Sequence, residues 1–523
     1  MTSERLDMHN VDRKTYQEVR ACPAGEFPAH LGVFHREMPA LEPGVKVPLG
    51  AAHAERESLG DARFARERRD VEHPRGVATP RVLLVAENAS ARFGGEAILP
   101  LHWFRVLRQR GIDARLVVHE RTRDELRALM PDEADRMHFV SDTWLHRALW
   151  RVSTWLPQHL GAPTLGLLLR LLTQRRARAI ARSLVRAHAV DVVHQVIPVS
   201  PKDPSLLAGL GVPLVIGPMN GGMQFPPAFR RAGRVQLGAV ALLRLASRFV
   251  HRVLRGKLTA TTLLVANART AAALPSGCRG RVVEMVENGV DFALFDGNHR
   301  AAAPTAPAAP DAQGTLRLVF VGRLVDWKAL DVALDAIADA GADVPCTLDV
   351  AGEGPMRAAW ERHAAARGLG DRVRFHGFVP QTAVPAMLAR ADALLLPSIY
   401  ECGGAVVLEA MAMGRVVVAT AWGGPLDYLD EHTGILVPPA GRADLVNGFA
   451  AALRRLQREP AARAALGEAA RRRCREHFDW AAKVDTGLQL YADAIARAKR
   501  GARRAANTML GTPWARASAS DSR

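Results

Sequence analysis

Cysteine is scarce in this chain, with five in 523 residues. Cys22, Cys278, Cys346, Cys402 and Cys474 form no Cys-x-x-Cys pair and no even framework, so neither a disulfide scaffold nor a zinc site is indicated, and a reducing cytoplasm is the simplest home. Long apolar runs are missing too. The longest, near Leu165-Gly-Leu-Leu-Leu169, is far shorter than the ~20 residues a membrane span requires. Met1 to Arg20 carries Glu4, Asp7 and Asp12 where a signal peptide needs an apolar stretch, so export is not expected. No Gly-x-Gly-x-x-Gly occurs, and Gly352-Glu-Gly354 matches it only in part, which argues against a dinucleotide oxidoreductase. Acidic residues are outnumbered, 53 against 70 Lys and Arg, for a formal net charge of +17. That excess favours acidic partners such as nucleotides, nucleic acid or anionic lipid, although any one basic cluster also reads as solvated surface.

What is present is two rounds of one pattern. Residues 1–80 mix charge, Pro, His and Gly without a sustained period and read as an irregular extension. From 81 to 297, apolar runs at Arg81–Glu87, Ala114–His119, Val190–His194, Val212–Gly217 and Thr262–Asn267 alternate with helical patterns. Residues 298–314 are Ala/Pro-rich and read as a linker. The pattern restarts over 315–480, with strand candidates at Leu316–Val321, Thr347–Val350, Val373–Phe375, Ala393–Leu396 and Val416–Ala419. A helix over 481–498 and a basic tail over 499–523 complete the chain. Such alternation implies α/β architecture with two Rossmann-like, doubly wound parallel sheets facing one another across a cleft.

The densest chemistry lies in Tyr400-Glu-Cys-Gly-Gly-Ala-Val-Val-Leu-Glu409, where two carboxylates flank a glycine loop that opens a helix. At ~1.5 Å per residue their spacing reaches roughly 12 Å, about the span from a sugar to a ribose across a diphosphate. The amides of Gly403, Gly404 and Ala405 would point from the helix start between them, where a diphosphate is favoured by free N–H groups and the helix dipole.

Here the chain resembles the retaining glycosyltransferases of family 4, with their GT-B architecture and Glu, seven residues, Glu motif. The resemblance extends to Gly322-Arg323 with Lys328, to Val350–Pro355 and Val373–Phe378, to Glu287-Asn-Gly-Val-Asp291 and to Arg92-Phe-Gly-Gly-Glu96, and covers roughly Arg81 to Ala498. It implies that the helix after Phe478-Asp-Trp480 crosses back to the first domain. It also implies a retaining, hexosyltransferase-type enzyme. Such an enzyme moves a sugar from a nucleoside-diphosphate sugar to a hydroxyl of a glycan or lipid-linked glycan acceptor, in cell-envelope or exopolysaccharide biosynthesis. No cofactor is expected beyond the donor substrate.

Arg323 and Lys328, both able to reach the carboxyl edge of the second sheet, would neutralise the leaving diphosphate. No Asp-x-Asp occurs, which favours this metal-free solution. Glu409 would accept hydrogen bonds from ribose hydroxyls, and Glu401 would orient the donor sugar. Gly377 and Phe378 would lie on the base side, and Gly94 and Gly95 beside the diphosphate and acceptor. At Gly403 the family usually has a large apolar residue, a departure in this chain. His194, at a strand end, is placed to meet a donor-sugar hydroxyl or the acceptor, with a structural histidine as the alternative. Asn220, Gly221 and Gly222 either line the acceptor side or form a simple turn.

Two stretches, Trp144 to Arg178 and Gln236 to Lys257, mix aromatic, aliphatic and Arg residues and read either as core helices or as contacts with an anionic membrane surface. The expectation is a cytoplasmic protein, peripheral at the inner face of the plasma membrane if those stretches bind lipid. Nucleic acid is not an expected partner, and the oligomeric state is left open. The alternative function is a non-catalytic sugar-nucleotide-binding subunit of a polysaccharide assembly complex.

Overall fold

The computed structural model describes residues 79–92, 95–155, 158–230, 250–293, 295–296 and 314–510. Most of the extension over 1–80, nearly all of the 298–314 linker, Gly94 and residues 231–249 lie outside the described residues. Two compact units are present. One, within Val71–Leu145 and Arg170–Arg523, contains both sheets. The other, among the described residues, is His146–Leu169, which is helical within Trp144–Trp155 and Gln158–Ala187.

The first sheet has seven strands: β1 (Val82–Val85), β2 (Ala114–His119), β3 (Met137–Val140), β4 (Val192–Gln195), β5 (Leu214–Met219), β6 (Thr262–Val265) and β7 (Arg281–Glu284). The second has six: β8 (Leu316–Val321), β9 (Cys346–Ala351), β10 (Val373–Gly377), β11 (Ala393–Leu396), β12 (Val416–Thr420) and β13 (Ile435–Val437). Every pairing is parallel. Central strands such as β1, β4, β11 and β12 are buried along their whole length, because helices cover both faces, and so they read as unbroken apolar runs. In the second sheet, Leu318, Phe320, Leu395 and Val418 enter one core, while Val319, Leu394, Leu396 and Val417 enter the other.

Three strands that the sequence pattern did not mark, β3, β7 and β13, all lie at sheet edges. Edge strands are short and need less burial, and β7 is largely exposed, so it has no apolar run to betray it.

The strand orders are β3-β2-β1-β4-β5-β6-β7 and β10-β9-β8-β11-β12-β13. Order reverses between β1 and β4, and again between β8 and β11. Chain leaving the carboxyl ends of two such strands diverges to opposite faces and opens a crevice. The loop after β1 carries Gly95. Those after β8 and β11 carry Arg323, Lys328 and Glu401.

The last helix, Trp480–Leu510, is longer than the expected 481–498, so the start of the basic tail is helical. It packs on the first domain, where Trp480, Val484, Tyr491 and Ala494 join the core of Trp103, Phe104 and β1. A Cβ on Gly487 would lie 2.5 Å from the Trp103 ring, so glycine is what allows this approach. Burying each large side chain here is worth about 1.5–3 kcal/mol. Backbone bonds from Val290 N to Phe478 O (2.8 Å) and from Trp480 N to Val290 O (3.0 Å) join the crossing to the segment after β7.

Candidate active site

β8 ends at Val321, and the chain turns sharply through Gly322, Arg323 and Leu324. That turn is pinned by the loop after β9: Leu324 N donates to Glu353 O at 2.9 Å, and a Cβ on Gly352 would lie 1.9 Å from Gly322 O. Gly352 also sits at φ +144°, so no other residue fits. The partial Gly-x-Gly match is thus explained by backbone packing. A single 3-10 turn, Asp326–Lys328, follows, and Ile399 N donates to Trp327 O at 2.9 Å, tying this turn to the chain ahead of Glu401. Lys328 Nζ therefore meets Glu401 Oε2 in an ion pair, with the two side chains only 14% and 12% exposed. Arg323 stands on the exposed turn beside them, within the field of the Glu401 carboxylate.

Glu401 leads into Gly404, whose φ of +84° and ψ of 61° turn the chain into the helix Ala405–Ala412. No side chain caps that helix. Its first turn therefore presents backbone N–H groups of the kind that bind anions. A second glycine pair, unmarked in the sequence analysis, supports the first. Gly424 N donates to Glu401 O at 2.8 Å, a Cβ on Gly424 would lie 1.9 Å from Gly403 O, and one on Gly423, at φ +72°, would lie 2.1 Å from Glu401 O. The signal was legible, as Trp422-Gly-Gly-Pro425 follows a strand directly.

Glu409 lies in the middle of this short helix, 9% exposed, and accepts a hydrogen bond from Gln381 Nε2 at 3.2 Å. Burial pushes its carboxyl up to about 7, against the opposing effect of the Gln381 donor. Gly377, at φ +71°, ends β10, and its carbonyl accepts from Gly352 N at 2.7 Å. The adjacent Phe378 ring is 46% exposed.

His194 lies elsewhere. It is fully buried, and both ring nitrogens are engaged: Nδ1 accepts from the Tyr491 hydroxyl and Nε2 donates to Gly217 O, each at 2.6 Å. Burial lowers it to about 4, which keeps it neutral. Trp103 packs edge-on at 5.0 Å. In this arrangement His194 joins the crossing helix to β4 and β5, and it has no ring nitrogen left for a sugar.

Gly221 and Gly222 are also explained by packing. A Cβ on Gly221 would lie 2.6 Å from Pro201, and one on Gly222, at φ +72°, would lie 2.8 Å from Arg269 O and Ala273. Asn220 instead reaches across to the second domain, its Nδ2 donating to Cys402 O at 2.8 Å. Further polar bonds cross the same way. Asn267 Nδ2 donates to Asp427 at 2.8 Å, Arg269 pairs with Asp427 at 3.3 Å, and Trp422 Nε1 donates to Gln224 O at 2.8 Å. Gly95 adopts φ +54° with no neighbour within 4 Å of a Cβ, so its surroundings are open.

Two parallel doubly wound sheets, with cations and carboxylates at the second switch point, define the GT-B class of glycosyltransferase fold. Residues 307–473 match the family described as glycosyl transferases group 1. A 2-deoxystreptamine glucosyltransferase of Streptomyces kanamyceticus is 34% identical over 212 residues, covering 38% of this chain and 51% of that protein. A D-inositol 3-phosphate glycosyltransferase of Salinispora tropica is 37% identical over 231 residues, covering 41% and 46%. The chain thus spans about half the length of the curated relatives it matches. Among solved structures, a sucrose-phosphate synthase of Thermosynechococcus elongatus superposes with a TM-score of 0.55 at 19% identity, covering 80% of this chain and all of that one. HepE of Anabaena, in complex with UDP, gives 0.53 at 16%, covering 79% and all of that chain. These likenesses are of fold.

Proposed function

We propose that the protein transfers a sugar from a nucleoside-diphosphate sugar to a hydroxyl of a glycan or lipid-linked glycan acceptor, with retention of anomeric configuration and without a metal ion. The observation that carries this reading is the convergence of Lys328, Glu401 and Arg323 with the uncapped helix start at Gly404, in the helix that also carries buried Glu409. Glu409 takes the ribose hydroxyls, since a carboxylate accepts two at once. The amides at Gly404 and Ala405 receive the diphosphate. Arg323 and Lys328 neutralise charge as it leaves. Gly377 and Phe378 flank the base, and Gly95 faces the diphosphate from the first domain.

The bond from the anomeric carbon to the phosphate oxygen breaks as the acceptor oxygen bonds to the same face. The departing phosphate oxygen takes the acceptor proton. No carboxylate nucleophile is needed, and Glu401, held by Lys328, orients the sugar and favours positive charge at the anomeric carbon. His194 acts by positioning the last helix. The names of the relatives, a glucosyltransferase and an inositol phosphate glycosyltransferase, support the reaction class.

A role in envelope or exopolysaccharide assembly accords with an anionic membrane as partner. Among the described residues no helix is long and apolar enough to cross a bilayer. The helix Trp144–Trp155, however, exposes Trp144 (72%), Leu145 and Val152 together with Arg147 and Arg151, the composition of an interfacial helix. The test of the proposed activity is a panel of nucleoside-diphosphate sugars, read by thermal shift and by release of nucleoside diphosphate from purified protein. Stabilisation and turnover by one donor class support it, and stabilisation without turnover points to a binding subunit.

A further inference from the structure

Gly403 is a glycine for a reason outside its own loop. A Cβ there would lie 2.4 Å from Glu287 Oε1 and 2.5 Å from Asn288 Nδ2. The side-chain place of residue 403 is thus occupied by a carboxylate and an amide from the segment that joins the two domains. Both groups are buried, Glu287 at 5% exposure and Asn288 at 9%.

Hydrogen bonding around this carboxylate links three parts of the chain. Asn220 Nδ2, from the first domain, donates to Glu287 Oε1 and to Cys402 O, each at 2.8 Å. Asn288 Nδ2 donates to the same Glu287 Oε1 at 2.8 Å and to the Tyr428 hydroxyl at 3.0 Å. Both protons of each amide are therefore spent, and a single oxygen accepts two of them. Lys483 Nζ, from the crossing helix, holds Asn288 O. The other carboxylate oxygen, Oε2, is buried without a hydrogen-bond partner. Leaving such an atom unpaired costs about 1–3 kcal/mol, so stability alone is a poor reason for a carboxyl here.

What the arrangement fixes is the peptide at Cys402 and Gly403. Asn220 holds its Cys402 carbonyl, Glu287 packs where a Gly403 side chain would stand, and one peptide earlier Gly424 N–H holds the Glu401 carbonyl at 2.8 Å. Glu401 is next in the chain, and its carboxylate has to meet both Lys328 and a sugar. A displacement of about 1 Å in such a group is enough to cost ~100-fold in rate.

We propose that Glu287 is a positioning residue for Glu401: it fills the side-chain place of Gly403 and, with Asn220, holds the Cys402–Gly403 peptide in register with Lys328. The inference rests on the transfer reaction proposed above. It adds that the first domain, through Asn220, sets the geometry of a group in the second. Only an acceptor oxygen at Oε1 is required, so glutamine serves and leucine does not.

The test uses the full chain, with the donor that the panel identifies for turnover and UDP, GDP and ADP titrated for binding. Glu287→Leu should lower kcat about 10- to 100-fold, with nucleoside-diphosphate affinity within about threefold of the parent. Glu287→Gln should keep at least about a third of kcat, because the amide oxygen still accepts from both asparagines. Gly403→Ala should be damaging alone, and in combination with Glu287→Ala the two losses should fall well short of their sum, since one of the two groups in the way is removed. Hydrogen exchange of the 401–405 segment, which needs no turnover, should quicken about tenfold in Glu287→Leu and stay unchanged in Glu287→Gln. Equal losses in the Leu and Gln variants, a loss confined to KM, additive double losses, or unchanged exchange in Glu287→Leu would each overturn the positioning role. Absence of turnover in the parent, with exchange behaving as described, would overturn the transfer reaction and leave the coupling standing.

Discussion

Lys328 and Glu401 form an ion pair that bridges the loops leaving β8 and β11, the two strands between which the second sheet reverses order. Seventy-three positions separate them in sequence. The Ile399–Trp327 backbone bond brings the two loops together, and most of each side chain is withdrawn from solvent. A pair buried this way acts as one unit, because removing either member strands the charge of the other.

Lys328→Ala is expected to lower transfer by at least ~100-fold, as loss of one strong electrostatic stabiliser does. Combining it with Glu401→Gln should cost much less than the product of the single losses, a non-additivity read from kcat/KM. EDTA should leave the parent rate unchanged. Full additivity, or loss of activity in EDTA, would contradict a metal-free site built on this pair.

Glu409 makes a prediction of opposite sign for stability and for binding. Its folded-state value of about 7 stands above the ordinary 4.5, so ionisation is disfavoured by folding. Stability is therefore lost as pH rises from about 4.5 through 7, by an amount on the order of 3 kcal/mol at most. Glu409→Gln should raise Tm at pH 8 and not at pH 5. The ribose role proposed for Glu409 needs the ionised form, so nucleotide affinity of the parent should strengthen between pH 6 and 8, while in the glutamine variant it should be weak and flat. Titration calorimetry across that range checks both the sign and the assignment.

The paired glycines differ in what they tolerate. Gly424→Ala forces a Cβ to within 1.9 Å of the Gly403 carbonyl, so the donor loop must move, and a destabilisation of about 1–3 kcal/mol with loss of turnover is expected. Gly95→Ala meets no neighbour and incurs only the backbone penalty of a left-handed conformation, about 1–2 kcal/mol. Thermal unfolding of the two variants, alongside their rates, separates crowding from strain.

Much of this was legible in the sequence, for stated reasons. Strands buried on both faces announce themselves as apolar runs, so β2 and β8 fell where the pattern put them, and the edge strands β3, β7 and β13 did not. Lys328, Glu401 and Glu409 were singled out from the spacing of two carboxylates around a glycine loop and from the resemblance, and the structure sets Lys328 against Glu401. Glu287, Asn288 and Gln381 were not assigned these contacts, since those bonds depend on how distant segments meet, and no local spacing records that. His194 and the Gly221–Gly222 pair mark the converse: a polar residue or a glycine beside a strand end can be fixed entirely by packing.

Association with anionic lipid is tested by cosedimentation of the full chain with anionic and neutral vesicles. Binding to anionic vesicles alone, weakening sharply with salt, is expected, at about 1 kcal/mol for each Arg near the surface. Replacing Arg147 and Arg151 by Glu, with Trp144→Ser, should abolish the part due to the exposed helix. Unchanged binding by that variant would move the contact to another basic region, and no binding by the parent would make a soluble acceptor the better assignment.

The central claim, retaining transfer from a nucleoside-diphosphate sugar, is tested most directly by NMR of the first-formed product with the donor that the panel identifies. The account predicts release of one nucleoside diphosphate per sugar transferred and a product whose anomeric configuration is that of the donor. An inverted anomer as the initial product would contradict the same-face mechanism, and no transfer from any donor would contradict the reaction itself.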